Sequence, residues 1–170
     1  LSSTNGEITS SGAVTAGQKV EVETAEGNVI LNGTVTSANG EVDVTAKGPV
    51  TTNAAIQAGM DVTLFSKNDA VSVKDTVTAM SGNVNVTAQG AVETDKEIYG
   101  GSDVTLWSKN ATVLAKETVT AKSGDVTVNA STGIETTKEL NAGTNVTLTS
   151  TNGNVTTGEK VTATSGTVSI

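Results

Sequence analysis

Five aspartates and three aromatic residues are the side chains best suited to chemistry in this 170-residue chain: Asp43, Asp61, Asp69, Asp103 and Asp125, and Phe65, Tyr99 and Trp107. Carboxylates gathered on one outer face could supply the paired acid and base that cleave a polysaccharide. They are expected at unlike positions of the repeat described below, with equivalent positions holding Glu, Asn, Thr or Lys. The chain has no His and no Cys, which removes the usual general base, the thiol nucleophile, the commonest metal ligand and any disulfide. The expectation is a protein that is not an enzyme, with no catalytic residue, no metal and no cofactor.

The aromatic residues suggest contact rather than catalysis. Phe65 and Trp107 follow Leu64 and Leu106 at corresponding places in the repeat. Strand alternation points the leucines inward and therefore turns the two rings outward. Tyr99 is expected at a corner nearby. Exposed rings can stack on surface glycans, or they can cover a lateral contact with a neighbouring filament, and the spacing leaves both open. Gly100-Gly101-Ser102-Asp103-Val104 matches part of a calcium-binding nonapeptide, but its counterparts read Ala58-Gly59-Met60-Asp61 and Ala142-Gly143-Thr144-Asn145. Such sites need tandem ligand loops, so calcium is not expected. Asn32, Asn85, Asn110, Asn129, Asn145 and Asn154 each open an Asn-x-Ser/Thr triplet, as a chain this rich in Asn and Thr produces by composition alone.

What must position these side chains is a repeat. Ile8, Val29, Val50, Val71, Val92, Val113, Ile134 and Val155 recur at a constant step of 21 residues. Val14, Val35, Ile56, Val77, Ile98, Val119, Leu140 and Val161 do the same. A third register holds pairs separated by one residue, such as Val20 and Val22, Val42 and Val44, and Val62 and Leu64. Alternation with period two, in β-branched residues, is the strand signal. Each unit thus carries three short strands joined by Gly-, Asn- and Ser-rich corners, and no such unit can bury its apolar face alone.

Stacked coaxially, the units pair each strand with its equivalent one turn away. The expected fold is all-β, a right-handed parallel β-helix (β-solenoid) of about eight turns, each of 21 residues, with the hand taken from the general preference for right-handed crossovers. At the usual strand spacing the rod is about 38 Å long. The third register adds a finer rhythm: Val20 to Val42 spans 22 residues, Val42 to Val62 spans 20, and the alternation continues to Val168, a superperiod of 42. The extra residue must fall in the corners flanking the first strand. Glycines there, such as Gly40 and Gly59, are expected to supply positive φ. A hydroxyl column is expected through Thr24, Thr45, Ser66, Thr87, Ser108 and Ser150, interrupted by Asn129.

The chain termini carry expectations of their own. Leu1 to Gly6 aligns with Leu148 to Gly153, and Ile170 falls in the same strand of the final turn. No polar cap is evident, so residues 1–170 are expected to be one uncapped solenoid segment of a longer filament. A net charge of -8 and the absence of arginine argue against nucleic acid and anionic membranes as partners. No segment approaches the length of a membrane span.

The segment Ala142 to Ile170, AGTNVTLTSTNGNVTTGEKVTATSGTVSI, resembles the repeats of filamentous haemagglutinin-type exoproteins, large adhesins and toxin-delivery stalks secreted by two-partner systems. The resemblance covers the whole chain through its Gly, Val, Thr and Asn spacing. It implies a right-handed parallel β-helix outside the cell, at the bacterial surface. There the rod would hold a distal domain away from the cell or line a filament used in attachment and biofilm. Its partners would be adjacent turns of the same longer chain, and host or bacterial surface glycans or neighbouring filaments. The resemblance assigns no residue a functional role. Rival readings are a purely structural surface or sheath polymer, a glycan-binding solenoid, and an ice-binding solenoid, whose flat threonine array is matched in the C-terminal half only by the column from Thr105 through Thr127 and Thr147 to Ser169.

Overall fold

A computed structural model describes residues 1–170 and contains strands, corners and no helix. No helix is therefore long and apolar enough to cross a membrane. The strands form three parallel sheets that run the length of a coaxial stack of turns. The first sheet has nine strands, from Ser2–Ser3 to Val168–Ser169; the second runs from Ile8–Ser10 to Val155–Thr157 and the third from Val14–Ala16 to Val161–Ala163, with eight strands each. The chain is a β-solenoid of about eight turns.

The registers read from the sequence are the registers of the ladders. Val50 pairs with Val71 and Val71 with Val92 in the second sheet. Ile56 pairs with Val77 and Val77 with Ile98 in the third. In the first, Val42 pairs with Val20 at a separation of 22 and with Val62 at a separation of 20. Because β-branched side chains alternate across each short strand, the inward ones form a single cluster of 36 buried apolar residues. Full burial of each Val, Leu or Ile contributes roughly 1.5–3 kcal/mol. The cluster is continuous only because turns are stacked; Ile8 and Val155, near the two ends, are partly buried.

The two-turn superperiod has a physical cause that the sequence alone concealed. Four residues separate Thr24 from Val29 and Ser66 from Val71, whereas three separate Ala46 from Val50 and Ala88 from Val92. Three longer corners, those after Thr24, Ser66 and Ser108, are each held by a buried hydroxyl. Ser66 Oγ donates to the Gly48 carbonyl at 2.8 Å and accepts from the Asp69 N–H at 3.0 Å. Ser108 does the same with Gly90 and Ala111, and Thr24 with Gly6 and Gly27. Shorter corners need no such brace, and the paired position there is alanine.

This corrects the expected hydroxyl column. Thr24 pairs with Ala46, not Thr45, and Ser66 pairs with Ala88, not Thr87. The inward column therefore alternates hydroxyl and methyl, while Thr45, Thr87 and Asn129 lie outward beside Phe65 and Trp107. A one-residue offset inverts the face of every side chain in a strand.

The glycine expectation is corrected as well. Positive φ occurs at Gly133 and at no other residue. Most corner glycines are required instead by close approach of successive turns: a methyl group at Gly40 would overlap the Gln18 carbonyl, and one at Gly153 the Thr132 carbonyl. Parallel stacking sets neighbouring backbones about 4.8 Å apart, which leaves no room for a Cβ directed along the axis.

Candidate functional site

The five-residue strands of the first sheet present two outward residues per turn, whereas most strands of the other sheets present one. One column runs through Thr63, Asn85, Thr105, Thr127 and Thr147. Its neighbour runs through Phe65, Thr87, Trp107, Asn129 and Thr149. None of these ten side chains carries a formal charge, in a chain with 28 charged residues. The turns below are different: Glu21, Glu23 and Asp43 share the face there, with Lys19 within 3.2 Å of Glu21 and 2.8 Å of Glu41. Partial burial pushes the Asp43 carboxyl above its ordinary range, and nearby Lys19 offsets this only in part.

Trp107 is 43 % exposed and Phe65 is half-buried. They stand in one column with Thr87 between them, so two strand spacings, about 10 Å, separate their positions along the axis. The Lys109 ammonium lies 5.3 Å from the centre of the Trp107 ring, close enough for a cation–π attraction that orients the indole. Beside the ring is a shallow cleft of about 230 Å³ bordered by Ser108, Lys109, Asn129, Thr149 and Thr151.

Tyr99 does not join this group. It is the central residue of the strand Ile98–Gly100 in the third sheet rather than a corner residue, and it pairs with Thr78 and Thr120. Alternation around Ile98 turns its ring outward on a different face of the rod.

The aspartates are likewise regrouped. Asp61, Asp103 and Asp125 share one column with Asn83 and Asn145, at the corner entering the first sheet. The Asn83 N–H donates to Asp61 Oδ1 at 2.7 Å, the Asp103 N–H to Asn83 Oδ1 at 3.0 Å, and the Asp125 N–H to Asp103 Oδ1 at 2.8 Å. The Asn145 N–H continues the ladder to Asp125 Oδ1 at 2.8 Å. The expectation that these carboxylates occupy different columns is thereby overturned for three of them; a constant step of 21 hid the column because its members are spaced alternately 22 and 20 apart. The Thr144 hydroxyl, followed by the Asn145 N–H, holds the Asp125 carboxyl below the usual aspartate range. These oxygens brace backbone N–H groups of the next turn. Asp69 stands at another corner, where Oδ1 accepts from the Ala70 N–H at 2.8 Å.

Charges are otherwise arranged in alternating files between the second and third sheets. Asp95 lies 3.1 Å from Lys74 one turn below and 2.8 Å from Lys116 one turn above, and the Lys116 contact is the main reason its carboxyl sits below the ordinary range. Lys138 pairs with Glu159 at 2.8 Å. The next file reads Asp75, Lys96, Glu117, Lys138 and Glu159, a strict alternation of sign at the 21-residue step that the sequence reading did not extract. A second cleft, of about 320 Å³, opens on the second sheet where Gly133 leaves a gap between Thr112 and Asn154, with Leu114 and Glu135 at its edge. Its signal in the sequence was a glycine at a position where neighbouring turns carry side chains. No group of three or more Asp and Glu side chains has the arrangement of a metal site.

Comparison with known proteins adds no relative to this geometry: no protein-family model, no curated protein and no solved structure matches the chain.

Proposed function

We propose that the chain serves as the stalk of an extracellular bacterial adhesin or surface filament of the filamentous haemagglutinin type, exported by a two-partner system. In that role it would support cell attachment or hold a distal domain away from the surface. The observation that carries this reading is constancy of register. In all three sheets each interior strand pairs with its equivalents one turn away on both sides, with the same inward positions throughout. Length can therefore be added in two-turn units without designing a new core, which is what a spacer needs. Each turn contacts only its neighbours, so folding can propagate along the array. A cysteine-free chain with a net charge of -8 needs no oxidative step to fold and resists self-association.

Two measurements test the reading. Immunogold labelling of intact cells that produce the native protein should place the rod outside the outer membrane, on single filaments. Deleting residues 62–103, which joins Asp61 to Val104 and removes one two-turn unit, should preserve the β-solenoid and shorten the rod by about 10 Å. Label confined to the cell interior would overturn the stalk. Laterally bundled rods without a distal head would assign the protein to a sheath polymer instead.

A further inference from the structure

We propose that the outward face of the first sheet between Thr63 and Thr149 binds an extended, neutral polysaccharide laid along the rod axis, with Trp107 and Phe65 as stacking platforms. This goes beyond the stalk reading, and a stalk lacking the site would still be a stalk. A pyranose presents C–H bonds on its faces and hydroxyls around its rim. The complement of that chemistry is an aromatic ring bordered by hydroxyl and amide side chains, and the Trp107 cleft is built that way, with Asn129, Thr149 and Thr151 at its border. Aromatic rings with a few well-placed polar groups are also the general composition of small-ligand sites.

Charge selects the class of sugar. The ten outward residues of this stretch carry no formal charge, while the chain as a whole is at -8. An anionic glycan would gain nothing on the face and would be repelled by the rest of the rod. Lys109, the one cation at the cleft, is held against the indole. Geometry selects the direction. Phe65 and Trp107 recur two strand spacings apart, about 10 Å, roughly one disaccharide step of an extended chain, so alternate sugar rings meet successive aromatic rings. The Thr87 turn between them offers a hydroxyl to the sugar in the middle. The third sheet is also uncharged outward, but it has a single outward column and one ring, Tyr99. Packing of two rods through this face is the competing occupant, and it is disfavoured because the two rings are separated by a polar turn rather than joined in an apolar patch.

Trp107 is the chain's single tryptophan, so its emission reads the site directly. The whole chain is titrated with neutral oligosaccharides from β-glucan, chitin, mannan and galactan, and with polygalacturonate as the anionic probe. A saturable shift of Trp107 emission with at least one neutral series, and none with polygalacturonate, is the expected result. By calorimetry, Trp107→Thr should weaken binding by about tenfold or more, Phe65→Thr by less, and Tyr99→Ala not at all. Threonine is the residue this column already carries at Thr87 and Thr149, so the variants should fold; Trp107→Tyr should keep most of the affinity. Emission unchanged by every neutral series would overturn the proposal, as would affinity that survives both threonine substitutions. An emission shift that follows protein concentration without sugar, matched by association in sedimentation, would also overturn it and assign the face to rod packing.

Discussion

Ser108 and Thr94 are both buried hydroxyl residues with no exposed surface, yet removing the two hydroxyls should move stability in opposite directions. Ser108 Oγ donates to the Gly90 carbonyl at 2.7 Å and accepts from the Ala111 N–H at 3.1 Å. Ser108→Ala leaves both groups of the longer corner without that partner. Each unsatisfied buried group costs about 1–3 kcal/mol, and these bonds are only partly buried, so a net loss of about 2 kcal/mol is expected. Thr94 Oγ1 has no hydrogen-bond partner. Thr94→Val keeps the shape and removes an unpaired buried hydroxyl, for an expected gain of about 1 kcal/mol. Neither change introduces a steric problem, because adjacent turns already carry these side chains: Val73 pairs with Thr94, and Ala88 and Ala130 pair with Ser108. In thermal unfolding, about 1 kcal/mol corresponds to a shift of roughly 2–4 °C for a chain of this size. Ser108→Ala should also speed hydrogen exchange of the Ala111 N–H selectively. Shifts of the same sign for the two variants, or an unaltered melting point for Ser108→Ala, would refute the role given to the hydroxyl brace.

The inward and outward registers make a second contrast: Val92→Asp buries an unpaired charge in the core and should abolish cooperative folding of the surrounding turns, whereas Thr105→Asp on the outer face should be nearly silent by circular dichroism. Acid should weaken the rod through Asp95 and Asp125. Both carboxyls lie below the ordinary range when folded, so their contribution is complete above the unfolded-chain value of about 3.9 and is lost as pH falls through the lower folded value. Melting temperature measured from pH 6 downward should therefore decline below about pH 4. Asp125→Asn, which removes the titrating group, should narrow that decline, and an unchanged acid limb would contradict the assignment.

Much of the architecture was legible because a solenoid converts sequence distance into spatial contact. Residues one turn apart are neighbours, so the constant step from Val50 to Val71 to Val92 is itself a contact map. The three strands per turn, the inward leucines before Phe65 and Trp107, and the alternating 22 and 20 spacing could all be read before any coordinates. What the tertiary structure alone decided lies where a shift of one residue matters. Thr24 and Thr45 are 21 apart but face opposite ways, because the first sheet steps by 22 at that turn and a strand reverses face with every residue. The same slip hid the Asp61–Asn83–Asp103–Asp125–Asn145 ladder. Composition could likewise not say whether glycine served torsion or proximity. Only the packed stack shows that Gly40 makes room for the turn beneath it, or that Tyr99 faces away from the other two rings. Apolar periodicity is written in the chain because burial demands it of every turn. Which polar groups meet depends on corner lengths summed over several turns, and that sum becomes visible only when the turns are stacked.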